Sequence, residues 1–325
     1  MNKFFLTSKI KNDIEEVEAF LINYLDFPHQ NLKESSLHTL KAGGKRIRPA
    51  FVLLAGSLFK YEDKEKLISL AAAVELIHMA SLIHDDIIDN SVTRRGRPTV
   101  RALWGNDFSL YAGGYLFAKA IQLINPKENP RIAEILANTS VEMAKGELAQ
   151  IQSFFDIDQT VRDYFYRIKR KTALLIAASC EIGALACNAS KNEIKAIKKY
   201  GYNLGMAFQI QDDILDIEST SMELGKPAGN DLAQGIITLP TIYALQKKNT
   251  DSLELKKSIV NRFTSGSYDI NKALEIISNS TAMDDARRIS FKYMQKAKDQ
   301  LEYLPKGMIR KNMDQLANYI VERNY

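Results

Sequence analysis

The residues best equipped for chemistry lie between Ser81 and Pro98, where Asp85, Asp86 and Asp89 are followed by Arg94, Arg95 and Arg97. Three carboxylates thus precede three guanidinium groups. The apolar run before them, Ala71, Ala72, Ala73, Val74, Leu76 and Ile77, has helical rather than alternating spacing. On a helix Asp85 and Asp89 share one face, while Asp86 is turned about 100° away. Two carboxylates on one face repel each other unless a divalent cation lies between them, and their hard oxygens suit Mg²⁺ or Mn²⁺ shared with a substrate phosphate. An acidic helix end in solvent would give the same local pattern.

A second cluster shifts the balance. Gln209-Ile210-Gln211-Asp212-Asp213-Ile214-Leu215-Asp216 repeats the D-D-x-x-D spacing, again along apolar residues at helical intervals (Leu204, Met206, Ala207, Phe208, Ile210). Two such helices could face each other across a cavity and hold several cations around a diphosphate, whose charge no single lysine would offset.

The elements that must position these groups read as helices throughout. Periodicity predicts helices over 12–25, 32–40, 66–89, from Trp104-Gly105-Asn106-Asp107 to about Ile124, over 132–154 and over 193–216, with more after Pro240. Asn12 or Asp13 could cap the first, and Pro28 closes it. Gly43-Gly44, just before a helix with Pro49 in its first turn, leaves backbone N–H groups beside Lys45, Arg46 and Arg48. That junction could dock phosphate, or be an ordinary turn with solvated basic residues. His78 shares the stripe of Asp85 with Ser81, Val74 and Leu70; alone it reads as a hydrogen-bonded core histidine. The segment 160–186 carries Arg167, Lys169, Arg170, Lys171 and Thr172 at its middle, and buried cations need partners, which a diphosphate would supply. Gly201 and Gly205 could serve close helix packing or leave room for substrate. Lys226, in the loop 219–229, could be a mobile cation over the site. No sheet signal, short repeat or low-complexity linker is present.

Composition sets limits. The chain has 325 residues, 46% hydrophobic and 26% charged, with a net charge of +5. These are globular values, and without dense basic blocks a nucleic-acid partner is not expected. Cys180 and Cys187, two helical turns apart, read as packing residues. The apolar start is too short for a signal peptide, and no uninterrupted apolar stretch approaches the ~20 residues of a membrane span, so a cytoplasmic protein is expected.

Taken together, the two aspartate clusters resemble those of the trans-prenyl diphosphate synthases. The resemblance also rests on Gly43-Gly44-Lys45-Arg46-Ile47-Arg48-Pro49, Arg94-Arg95-Gly96, Lys171-Thr172, Phe208-Gln209, and the run from Gly225-Lys226-Pro227 through Asp231 to Thr238-Leu239-Pro240. It covers nearly the whole chain. It implies an all-α isoprenoid synthase fold, one large helical domain (1–325) around a deep central cavity, and condensation of an allylic diphosphate with isopentenyl diphosphate. In that scheme Mg²⁺ (or Mn²⁺) is held by Asp85, Asp86, Asp89, Asp212, Asp213 and Asp216. Lys45, Arg48, His78 and Arg95 hold the extender diphosphate; Arg94, Lys171, Thr172, Gln209 and Lys226 cradle the allylic one. Asp85, Asp89, Asp212, Lys171 and Lys226 carry catalysis. The active unit would be a homodimer, or a heterodimer with a second subunit, and could meet a membrane peripherally through its lipophilic product.

Within that family, His78-Met-Ala-Ser-Leu-Ile-His-Asp-Asp and Trp104-Gly105-Asn106 are most similar to long-chain synthases of quinone side chains. The small Ala80 and Ser81, where aromatic residues give short products, point the same way; a deeper residue such as Phe117 could still form a floor and give geranylgeranyl or farnesyl products. Gly114 and Asn90 stand where some relatives carry Asp. A terpene cyclase, a head-to-head synthase and a non-catalytic partner subunit are the other readings, the first two generally lacking the extender site and the last expected to have eroded motifs.

Overall fold

The computed structural model describes residues 8–26, 29–59, 63–124, 130–218, 229–247, 249–264 and 266–322. Regular structure there is helical apart from one small ribbon. The helices are α1 (Ser8–Tyr24), α2 (Gln30–Lys41), α3 (Ile47–Leu58), α4 (Lys64–Ile88), α5 (Val100–Trp104), α6 (Asn106–Gln122), α7 (Pro130–Gln152), α8 (Val161–Ile168), α9 (Leu174–Ala186) and α10 (Lys191–Glu218). After them come α11 (Asn230–Ala233), α12 (Leu239–Leu245), α13 (Thr250–Val260), α14 (Ser267–Ser278), α15 (Ala282–Gln300) and α16 (Met308–Glu322). The all-α expectation holds. One feature had no signal in the sequence: β1 (Thr93–Arg94) pairs antiparallel with β2 (Arg97–Pro98). Arg95 and Gly96 between them both have positive φ, 53° and 73°, as tight two-residue hairpin turns require. A ribbon this short is made by its turn, not by an alternating apolar run.

The chain forms two compact units. The first takes the residues up to Ser140, Leu175–Gly201 and Asp299–Leu316; the second takes Val141–Leu174, Tyr202–Lys298 and the residues from Ala317 on.

In the first unit α4 is the central element. Asp63 caps it by accepting from the Lys66 N–H at 2.9 Å, which satisfies one of the donors a helix start leaves free. Beyond that cap its residues are buried on nearly every side from Leu67 to Ile83. Among the described residues α4 is long and apolar enough to span a membrane, but 72% of its apolar stretch is buried within the protein. It packs as a core helix. Against it lies α3, whose Val52 carbonyl oxygen would be 2.3 Å from a Cβ on Gly183, so that glycine lets α9 cross α3 backbone to backbone. Tyr200 closes this core edge-on against Phe51 and donates its O–H to the Met313 carbonyl at 2.7 Å.

In the second unit α8 starts with a capping box: the Thr160 hydroxyl accepts from the Asp163 N–H, and the Asp163 carboxylate accepts from the Thr160 N–H. The predicted segment 160–186 is not one uniform helix. A π-helical turn, Lys169–Ala173, joins α8 to α9, and such turns mark functional positions more often than chance. Gly205 explains how α10 reaches it, since a Cβ there would lie 2.7 Å from the Ala173 Cα. In the first unit Gly201 likewise meets Ile176, Ala177 and Cys180. Both glycines therefore serve close helix packing. Cys180 and Cys187 are buried free thiols, as expected of packing residues.

Candidate active site

The first acidic cluster forms the carboxyl-terminal end of α4. Asp89 is its C-cap, with α-helical φ and ψ of −78° and 0° and its N–H bonded to the Asp85 carbonyl at 2.8 Å, so the four-residue relation between the two aspartates survives to the helix end. Both are half-buried. Asp86 differs: it is buried, and its Oδ1 accepts from both Nε and Nη2 of Arg94 at 2.8 Å. Burial pushes the Asp86 carboxyl up, and Arg94 pulls it back. The β1–β2 turn thus returns one arginine of the Arg94-Arg95 pair to the motif itself.

The other arginine turns the opposite way. Arg95 donates through Nη1 to the Gly43 carbonyl, and a Cβ on Gly44 would come within 2.6 Å of that nitrogen, so the Gly43-Gly44 turn is the seat on which Arg95 lies. Left-handed backbone at a non-glycine residue costs roughly 1–2 kcal/mol. Arg95 is held there by the ribbon and by the Gly43 contact. His78 belongs to the same cluster. Part of its surface is accessible, but dense surroundings, with Arg48, Arg95, Arg94 and Arg46 around it, hold its imidazole well below the ordinary histidine range. A neutral ring amid four guanidinium groups can donate or accept one hydrogen bond without adding charge. Lys45 and Arg48, both half-buried, flank this cluster in sequence at the start of α3. The arrangement is concentrated positive charge suited to a phosphate-bearing ligand.

The second acidic cluster lies in the second unit, on α10. Asp212 is half-buried. Asp213 is buried and accepts from the Tyr164 O–H at 2.7 Å and from Gln209 Nε2 at 2.8 Å. Burial, and then the nearby Asp231, push its carboxyl up to about 7. Asp216 ties the helix to the start of α11, its Oδ2 accepting from the Asp231 N–H at 3.1 Å and its carbonyl from the Gly229 N–H at 2.7 Å. At the π turn Thr172 donates to Gln209 Oε1 at 2.6 Å, one helical turn beyond the Gly205 contact. Lys171, Thr172, Gln209 and the Asp212 motif are thereby joined within one unit.

The cations of segment 160–186 find protein partners that sequence reasoning had sought in a diphosphate. Arg167 donates to the Ile237 carbonyl at 2.6 Å and to Gln159 at 2.9 Å; Arg170 pairs with Glu142 at 2.8 Å; Lys171 lies 2.9 Å from Glu147. Sequence reasoning also passed over Glu75, Glu147 and Tyr164. Glu75 carried a signal, being an acid inside the apolar run 70–77, where a charge requires a buried partner. Lys226 and the rest of 219–228 lie outside the described residues.

Carboxylate oxygens at Asp85 and Asp89 in the first unit, and at Asp212 in the second, are hard donors of the kind Mg²⁺ takes. Among the described residues no three acidic, histidine or cysteine side chains converge into a complete cage.

The sequence pattern of the polyprenyl synthetase family matches residues 29–277. Heptaprenyl diphosphate synthase component 2 of Geobacillus stearothermophilus is 44% identical over 98% of both chains. Among solved structures, heptaprenyl diphosphate synthase from Staphylococcus aureus superposes with a TM-score of 0.91 at 37% identity, covering 97% of this chain and 99% of that one. A polyprenyl synthase from Caulobacter crescentus CB15, complexed with calcium and isoprenyl diphosphate, gives 0.92 at 33% identity, with 97% and 96% covered. With both aspartate clusters, the Gly43-Gly44 turn and the π-turn pair Lys171-Thr172 all in place along the matched sequence, this chain belongs to the polyprenyl synthetase family.

Proposed function

We propose that this chain is a trans-prenyltransferase that condenses an allylic diphosphate with isopentenyl diphosphate, repeatedly, to a long all-trans polyprenyl diphosphate of the kind used for quinone side chains. The observation that carries the reading is the basic cluster at the Gly43-Gly44 turn, where Arg95 lies on the Gly43 carbonyl beside half-buried Lys45 and Arg48, with Arg48 and Arg95 close enough to His78 to lower its affinity for a proton. A terpene cyclase has no second diphosphate to bind and no use for such a cluster. The long product is supported by the heptaprenyl synthases among the relatives and by the small Ala80 and Ser81 behind Asp85.

In this reading Lys45, Arg48, Arg95 and His78 hold the extender so that its double bond faces the allylic carbon, which removes much of the encounter entropy. Arg forks bind phosphate oxygens in pairs, and the neutral histidine adds a directional hydrogen bond. Lys171, Thr172 and Gln209 cradle the allylic diphosphate, with Arg94 and, by its place in the motif, Lys226. Asp85, Asp89 and Asp212 would hold Mg²⁺ or Mn²⁺, which when bound withdraws charge from that diphosphate and makes it a better leaving group. Asp86, Asp213 and Asp216, each tied into protein hydrogen bonds, orient the motifs. Apolar side chains keep water from the allylic cation. No motif side chain is an obvious base, so the departing diphosphate takes the proton that ends each round.

The active unit in this reading is a dimer, either of two copies or with a second, different subunit as the name "component 2" of the Geobacillus relative implies for that protein. Exposed Leu110, Tyr111 and Ile121 on α6 supply an apolar surface for such contact. Two free thiols suit the cytoplasm. The test is to incubate the purified chain, alone and with a candidate second subunit, with isopentenyl diphosphate and an allylic primer, reading product length by mass spectrometry. Elongated products that vanish with a chelator are expected. No incorporation of isopentenyl diphosphate under any of these conditions refutes the reading.

A further inference from the structure

Of the three cations at the Gly43–Pro49 turn, Arg46 behaves unlike its neighbours. It is buried, yet it caps α3 in the left-handed conformation, φ 44° and ψ 39°. All its guanidinium nitrogens are engaged: Nη1 lies 2.9 Å from Glu75 Oε1, Nε 2.8 Å from Glu18 Oε1, and Nη2 donates to the Leu40 carbonyl at 2.6 Å. Burial alone would lower the affinity of this group for its proton, but Glu75 and Glu18 more than reverse that. Glu75 is itself buried on α4, one helical turn before His78.

Two physical points set the meaning of this pair. A left-handed non-glycine residue is unfavourable by roughly 1–2 kcal/mol and persists only where its surroundings impose it. A buried ion pair is often no more stabilising than apolar residues of the same volume. Stability alone therefore does not require an ion pair at this place. Arg46 sits between Lys45 and Arg48 in the chain, so its backbone conformation sets where both of them leave the turn.

We propose that Glu75 is a positioning residue of the extender site: by clamping Arg46 in its left-handed conformation it fixes Lys45 and Arg48 relative to His78 on the next turn of α4. This rests on the assignment of Lys45, Arg48 and His78 to the extender diphosphate. Glu75 touches no substrate, and Glu18, on α1, is the outer half of the same clamp.

The test uses the full chain, with a second subunit if activity needs one. Glu75→Gln keeps the shape and removes the charge; the KM for isopentenyl diphosphate should rise about tenfold while that for the allylic primer stays within about twofold. Equal rises in both, or no rise, overturn the proposal. Arg46→Met combined with Glu75→Leu separates positioning from stability, because an apolar pair should recover the melting temperature. KM for the extender should nevertheless stay high, and its recovery along with Tm would leave Glu75 a purely structural role. Should Glu75→Gln not fold, Glu18→Gln, at the exposed side of the clamp, decides: a selective rise of about threefold is expected, and none counts against the idea. Arg48→Ala tests the site assignment separately. If it leaves the extender KM unchanged, the assignment itself fails; if it raises that KM selectively and the Glu75 variants do not, only the positioning role fails.

Discussion

Replacing Asp86 by Ala should weaken the fold of the first acidic motif and leave its cation affinity nearly intact, whereas Asp85→Ala should do the reverse. Both Arg94 contacts to Asp86 reach one oxygen at 2.8 Å, and the Asp86 side chain is only 6% exposed. Removing one partner of a fully buried pair costs about 3–5 kcal/mol. Here the Arg94 side chain is 33% exposed, so the released guanidinium can turn into water, and about 1–2 kcal/mol is the expected loss. With an unfolding entropy of about 2.1 cal/mol/K per residue over a chain this long, that corresponds to a drop in Tm of about 1.5–3 °C. Asp85→Ala should leave Tm within a degree of wild type but reduce turnover by about 10³-fold, roughly 4 kcal/mol of lost transition-state stabilisation. The assay is incorporation of labelled isopentenyl diphosphate across a Mg²⁺ titration, beside a thermal melt of each variant without Mg²⁺. If Asp86→Ala raises the half-saturating Mg²⁺ concentration as far as Asp85→Ala does, with Tm unchanged, the division of labour drawn from the Arg94 contacts is wrong.

Two further outcomes follow from the same helix. Ser81, half-buried on α4 with its hydroxyl bonded to the His78 carbonyl at 2.8 Å, lies along the proposed path of the growing chain; Ser81→Phe should shorten the product while sparing the first condensation, and unchanged product lengths by mass spectrometry would put the path elsewhere. His78 has a folded-state affinity for protons depressed by burial and by four arginines. Its contribution to stability is therefore present above its unfolded value of about 6.5 and lost as pH falls towards the depressed folded value. His78→Gln, which cannot take up a proton there, should flatten the decline of Tm below about pH 6.5 and leave the pH–rate profile between about 6.5 and 8 unchanged. Parallel melting curves for variant and wild type down to about pH 5 would argue against a neutral His78.

What the sequence made legible was whatever depends on local spacing. Asp85 and Asp89 four apart, glycines before a helix start and the helical period of α4 all follow from neighbours within a few residues, and the structure has them as read. The pairings that give each charge its task were hidden because they join distant positions. Glu75 meets Arg46 across 29 residues and Tyr164 meets Asp213 across 49, and no local pattern encodes either. The π turn at Lys169–Ala173 was invisible for another reason: its sequence is as helical as its flanks, and the extra residue shows only in the hydrogen bonds. The polar Glu75 and His78 interrupt the apolar run of α4, which is buried as a core helix.

The end of α4 has a consequence of its own. A helix gathers about half a negative charge at its carboxyl end, and basic side chains in the last turn usually answer it. Here the last turn contains no basic residue; Arg94, arriving from the ribbon, answers Asp86, while Asp85 and Asp89 add to the pole. A divalent ion bound here would add positive charge at this pole, so its uptake and the tightening of the last turn would be coupled. The N–H groups of Asp89, Asn90 and Ser91 donate back to the carbonyls of Asp85, Ile87 and Asp86, and their exchange with solvent deuterium should slow as Mg²⁺ is added. The metal would then be a missing piece of secondary structure as well as a reagent.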